Sequence, residues 1–164
     1  MGGSWPRLAL SALVVVTDQA TKAIIRSRFE LHQSLDVIPG FFSLTLVHNY
    51  GAAFGLMNSA AFPFKTALLS IVAATALMAL VWYAGTLPTE QRLARAGLSL
   101  IAGGAAGNLI DRVSAGYVVD FVDFYWGNWH FWAFNVADAA ITTGVALMLF
   151  DMLDLRSRRV PGTV

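Results

Sequence analysis

Four long apolar stretches, at residues 8–25, 67–84, 96–112 and 134–152, constrain this chain more than any other feature. A helix needs roughly 20 mostly apolar residues to cross a bilayer, and each stretch comes close to that length. The second stretch carries no charge, while the first is interrupted by Asp18 and Lys22 and the fourth by Asp138. Composition agrees with a membrane setting: 57% of residues are hydrophobic, 13% are charged, and the mean hydropathy is +0.61, far from an ordinary soluble domain. The 164 residues suit a single integral-membrane domain over 1–164. A net charge of +1 argues for neither nucleic acid nor an acidic partner. Without cysteine there is no disulfide and no thiolate metal site.

The first stretch has a competing reading as a cleavable signal sequence, because Arg7 precedes an apolar run of the right size. Asp18, Gln19 and Lys22 stand where a small-residue cleavage site belongs, and three more spans follow, so a transmembrane helix is the better reading. Four spans put both termini on one side. Arg7, Arg92, Arg95, Arg156, Arg158 and Arg159 lie on that side, and the positive-inside rule makes it cytoplasmic. The margin is narrow, since Lys22, Arg26, Arg28, Lys65 and Arg112 fall toward the other face.

Two connections lie on the outer side. In the first, Pro39-Gly40 introduces Phe41 to Val47, a β-branched and aromatic run that predicts a short strand, followed by a small-residue turn from Tyr50 to Gly55. In the second, Val118 to Phe124 leads to Trp126, Trp129 and Trp132, which suit an aromatic belt at headgroup level. Asp123 is expected to be an exposed or interfacial loop residue there.

An acid in a spanning segment costs a few kcal/mol or more and is a functional-site hypothesis by default. Asn108, Asp111 and Arg112 are spaced i, i+3, i+4 at the outer end of the third span. Asn135 and Asp138 repeat the i, i+3 spacing in the fourth, Asp18 and Lys22 are i, i+4 in the first, and Asp120 sits in the loop between the last two. Each acid also has a structural reading, as an ion pair closing a helix end or, for Asn135 and Asp138, as a helix N-terminal cap. Two carboxyls brought within a few Å share one proton and can hydrolyse an amide, one acting as base toward water and the other as acid toward the carbonyl. Spacing alone leaves open which two acids form such a dyad.

Other chemistries lack their signatures. His32, His48 and His130 are scattered, no H-E-x-x-H or zinc spacing occurs, and no G-x-S-x-G elbow accompanies the serines. The run Gly103-Gly104-Ala105-Ala106-Gly107 lacks a phosphate-loop lysine and reads as close helix packing. No cofactor and no metal are expected.

Asp18-Gln19-Ala20-Thr21-Lys22, His48 to Phe54, Gly103 to Arg112, Val118-Val119-Asp120-Phe121 and Phe134-Asn135-Val136-Ala137-Asp138 together resemble, in order, the motifs of the bacterial lipoprotein signal peptidases, or signal peptidase II. The resemblance covers nearly the whole chain. It implies an all-α membrane protein of four transmembrane helices, with a small β-like cradle and a short extra helix in the outer loops. It also implies an aspartic endopeptidase of the bacterial inner membrane that cleaves N-terminal to the diacylglyceryl-modified cysteine of prolipoproteins.

By the same resemblance Asp120 and Asp138 are the catalytic pair, and Asp18, Lys22, Asn49, Gly51, Asn108, Asp111, Arg112, Asn135 and Ala137 bind substrate or support the site. The implied partners are the prolipoprotein and membrane lipid, with no nucleic acid, acting on a monomer whose site is near the periplasmic face. Tyr50 and Ala105-Ala106 depart from the common pattern without touching a carboxylate. The competing class is a small proton-coupled transporter, which would place ionisable residues at successive depths.

Overall fold

The computed structural model describes residues 5–51 and 64–159. Its elements run α1 (Trp5–Arg28), β1 (Ser34–Ile38), β2 (Phe42–Asn49), α2 (Lys65–Thr86), α3 (Arg92–Ala115), β3 (Val118–Trp126), β4 (Trp129–His130) and α4 (Val136–Arg159). All four helices are long and apolar enough to cross a membrane. Most helix ends run a few residues beyond the apolar stretches read from sequence, because hydropathy marks the lipid-facing middle of a helix while its charged ends continue the same hydrogen-bonding pattern. α4 instead starts at Val136, two residues inside the expected stretch, after a cap.

α3 is the centre of the bundle and packs against the other three helices. Its glycines explain how. A Cβ on Gly103 would stand 2.8 Å from the Ser11 carbonyl oxygen of α1, and one on Gly104 would collide with the Ala137 carbonyl oxygen of α4. The small-residue run therefore serves close helix packing, as its spacing suggests. α2 packs chiefly against α3 and buries no residue, which leaves most of its apolar surface to lipid.

The outer connections contain more β structure than expected. The strands form one antiparallel sheet in the order β1-β2-β3-β4. β2 covers the expected strand and extends it to Asn49, with Val47 opposite Asp120 and a bulge between Leu44 and Val47. The second connection, read as an aromatic loop, is instead the nine-residue strand β3 with the short return strand β4. Its pairing partner lies some 70 residues earlier, beyond the reach of any local pattern. Ile25, Leu46, Val119 and Phe121 form a small core that joins the outer end of α1 to the sheet.

Two local devices aim the ends of β3. α3 stops at Gly116, whose positive φ of 83° and N–H to the Arg112 carbonyl make a left-handed cap, and β3 begins two residues later. The chain ahead of α4 is sewn to β3: Phe134 donates to the Val122 carbonyl at 3.1 Å and accepts from Val122 at 2.9 Å. No extra helix occurs among the described residues of the outer connections; residues 52–63 lie outside them.

Candidate active site

Four acids are drawn to the outer end of the bundle, and they divide into two pairs. The first pair is Asp18 of α1 and Asp111 of α3, both sealed from solvent together with Lys22. Lys22 Nζ lies 2.8 Å from Asp18 Oδ2 and 2.9 Å from Asp111 Oδ2. It also donates to Asn108 Oδ1 at 2.9 Å. Arg26 adds a second cation, 2.9 Å from Asp111 Oδ1. Gln19 bonds both carboxylates and the Gly107 carbonyl. Arg26 was not singled out from sequence, though its place one turn beyond Lys22 on the Asp18 face is the signal that could have found it.

Each of these acids has one further bond, and both reach across to the elements that follow. Asp18 Oδ1 accepts the Ala137 N–H at 2.9 Å. Asp111 Oδ2 accepts the Val119 N–H at 3.1 Å. Ala137 and Val119 are the residues immediately before Asp138 and Asp120. The first pair thus grips the backbone next to each member of the second.

The second pair is Asp120 of β3 and Asp138 in the first turn of α4. Asp120 accepts from Asn135 Nδ2 at 2.7 Å and from Asn49 Nδ2 at 3.0 Å. Asp138 accepts from Asn108 Nδ2 at 2.7 Å and from the Asn135 backbone N–H at 3.3 Å. Asn135 Oδ1 in turn accepts the Asp138 N–H at 2.9 Å, so Asn135 and Asp138 form a reciprocal helix cap. The capping reading of this spacing is met, and the same Asn135 side chain also holds Asp120. Asn135 is the hinge of the arrangement, since it bonds both acids and is itself fully buried.

No ion pair involves Asp120 or Asp138 among the described residues. Burial, and then the neighbouring Asp138 charge, push the Asp120 carboxyl up to about 7, against the opposing hydrogen bonds from Asn49 and Asn135. Both acids line a cavity of about 960 Å³. Asn49, Asn108 and Arg112 complete its polar end, and its apolar walls come from Ala73 of α2, Ala105 of α3, Ile141 and Val145 of α4, and Phe131, Trp132 and Phe134. Asp18, Lys22 and Asp111 do not reach it.

The expected single face of Asn108, Asp111 and Arg112 is therefore split. Asn108 and Arg112 face the cavity, while Asp111 turns to α1. Arg112 forms no ion pair with Asp111 and instead donates to the Gly51 carbonyl at 3.1 Å. Gly51 donates its N–H to Asn49 Oδ1 at 2.9 Å, which ties the 49–51 turn to the residue that holds Asp120. Asp120 lies in a strand and not in a loop.

Asp123 departs from expectation too. It is 8% exposed, because alternation along β3 turns it to the same face as Phe121 and the sheet covers it. Its carboxylate meets His130 Nδ1 at 3.0 Å across the β3–β4 hairpin. His48 stacks on Tyr117 with ring centroids 3.8 Å apart; burial, followed by the Arg26 charge, lowers its pKa. No group of acids and histidines suited to a metal ion occurs among the described residues.

Comparison with known proteins follows the same outline. Residues 10–154 match the family profile described as signal peptidase (SPase) II. A lipoprotein signal peptidase of Geobacter metallireducens is 46% identical over 144 residues, covering 88% of each chain. One from Symbiobacterium thermophilum is 42% identical over 146 residues, 89% of this chain and 93% of the relative. A solved structure of a bacterial membrane enzyme, determined in meso at 2.3 Å resolution, superposes with a TM-score of 0.85 at 32% identity over 98% of this chain and 95% of its own.

Proposed function

The chain belongs to the signal peptidase II family of aspartic proteases, and from that premise we propose that it removes signal peptides from diacylglyceryl-modified prolipoproteins by means of an Asp120–Asp138 dyad. One observation carries the choice of dyad: of the four acids at the outer end, only these two line the cavity, and only these two form no ion pair. The signal helix lies in the apolar groove between α2, α3 and α4, its cleavage site unwound beside the carboxylates.

A water held between the acids attacks the scissile carbonyl carbon. Asp138 takes the water proton as Asp120 gives its own to the carbonyl oxygen, leaving a neutral tetrahedral diol. The raised Asp120 carboxyl is suited to carry the proton near neutrality. On collapse the C–N bond breaks, Asp138 protonates the leaving amine of the lipidated cysteine, and Asp120 recovers a proton from the diol. The dyad ends as it began. Asn108 and Asn135 hold both carboxylates in place without adding charge, and the Arg112 guanidinium, with its fork of donors, binds carbonyl or phosphate oxygens of the substrate. The termini are cytoplasmic and the dyad faces the periplasm of an inner-membrane monomer.

The proton-relay alternative is disfavoured by spacing. Between the Asp18–Asp111 pair and the opposite helix ends, no ionisable side chain interrupts α1, α3 or α4 until Arg7, Arg95 and Asp151. The test is to incubate the purified protein with a diacylglyceryl-modified prolipoprotein and to determine the N-terminus of the product. The lipidated cysteine is expected as first residue; cleavage elsewhere, or none, would overturn the assignment.

A further inference from the structure

Arg95, in the first turn of α3 at the end far from the dyad, is only 9% exposed. Among the described residues its guanidinium has no hydrogen bond and no ion pair. Burying a guanidinium without a counter-charge is costly, so an isolated one in this position calls for an anion. Its nitrogens are not walled in, because the one sealed and unpartnered side-chain nitrogen among the described residues is Arg26 Nε. They keep some contact with the outside.

The setting points the same way. Gln91 gives α3 no side-chain cap, and the first turn carries no acid, so the positive end of the helix dipole coincides with Arg92 and Arg95. Side chains on a helix lean toward its N-terminus, so the Arg95 stem runs toward that end, where the Arg92 N–H is taken by the Glu90 carbonyl and the Leu93 and Ala94 N–H groups follow. The nearby acids are engaged or distant. Glu90 is fully exposed and accepts from Thr89; that bond and, less strongly, the Arg95 charge lower its pKa, but Glu90 and Arg95 form no hydrogen bond or ion pair, and Asp151 on the facing α4 forms none either. The backbone at Arg95 is held firmly, since its carbonyl accepts from Ser99 at 2.8 Å and the Ser99 carbonyl accepts from Ser11 of α1, also at 2.8 Å.

We propose that Arg95 and the uncapped N-terminus of α3 form a binding site for the phosphate of an anionic phospholipid, on the membrane face opposite the dyad. A guanidinium takes two phosphate oxygens in parallel, and helix N–H groups take a third. Basic pockets between transmembrane helices hold lipid headgroups in this manner. Sixteen residues at 1.5 Å each put Arg95 roughly 24 Å from Asp111, so this site is separate from catalysis.

The full-length protein in nanodiscs tests the proposal by native mass spectrometry of retained lipid. Discs containing phosphatidylglycerol are compared with discs of phosphatidylcholine alone, and the former are also challenged with inorganic phosphate. The wild-type protein is expected to retain phosphatidylglycerol, and Arg95→Gln to lose it by about tenfold or more. Arg95→Lys should keep an intermediate share, and Arg92→Gln, at an exposed position, most of it. Equal retention of the two lipids by wild type would overturn the proposal on its own. So would equal losses in Arg92→Gln and Arg95→Gln, which would signify a general basic surface, or displacement of the lipid by inorganic phosphate, which would signify a free-anion site.

Discussion

Asp18 and Asp111 are the same residue type as Asp120 and Asp138, lie at the same end of the same bundle, and are buried as deeply or more so. They differ in what surrounds them. Lys22 and Arg26 neutralise the first pair directly, whereas the second pair is held by asparagines, which bind a carboxylate without supplying charge. The first pair is bound to cations and serves as a clamp on the Ala137 and Val119 amides. The second keeps a proton available. Burial alone does not make an acid reactive; the placement of the counter-charge decides.

The comparison breaks most readily at the second pair. Asp120→Asn or Asp138→Asn should lower kcat by about 10³-fold or more, because each removes a proton carrier that its partner cannot replace. Both should stay far closer to the wild-type melting temperature than variants of the first pair, because the amide removes a buried charge even as its NH2 meets one of the N–H donors that the carboxylate accepted. Prolipoprotein cleavage beside thermal unfolding in detergent checks both halves. At the first pair the expectation reverses: Lys22→Met leaves the sealed Asp18 without a cation and Asp111 with Arg26 alone, and should cost about 3 kcal/mol or more in stability, read as a fall in melting temperature.

Asp111→Asn separates clamp from chemistry more finely. Loosening the Val119 amide lets Asp120 drift, and a misplacement of this kind costs on the order of 10²-fold in rate. The variant should lose stability along with activity, a combination not expected for Asp120→Asn.

The pH dependence follows from the Asp120 carboxyl raised to about 7. Cleavage should fall as pH rises through that value and the shared proton is lost. Stability has the same sign: a carboxyl whose folded pKa exceeds its unfolded value stabilises fully below the unfolded pKa, near 4, and the contribution is lost as pH rises toward 7. Melting temperatures measured from pH 4 to pH 8 should decline for wild type more than for Asp120→Asn. The smallest effect is expected at Asp123. His130→Ala removes a half-exposed partner of Asp123 and should change stability by about 1 kcal/mol or less, with kcat unchanged.

Much of this arrangement is legible from the chain alone, where the signals are local. Four spans follow from hydropathy, the Asp18–Lys22 bond from an i, i+4 spacing, the close packing of α3 from its glycines, and the Asn135–Asp138 cap from an i, i+3 spacing. What escapes is tertiary. A turn of 100° per residue separates Asp111 from Arg112, yet only the position of α1 determines that Asp111 faces Lys22 while its neighbours face the cavity. β3 becomes a strand because β2 offers it an edge, and that same pairing buries Asp123 and seats Asp120 beside Asn49. The family resemblance supplied the choice of Asp120 with Asp138; the counter-charges supply a physical reason for it.

The central claim, that the pair held by asparagines in place of cations carries a titrating proton, is tested most directly by infrared difference spectroscopy of the carboxyl C=O stretch. The account predicts a protonated-carboxyl band that titrates with a midpoint at about 7 in the wild-type protein and is absent in Asp120→Asn. A midpoint near the ordinary aspartate value, or a band that survives Asp120→Asn unchanged, would contradict it.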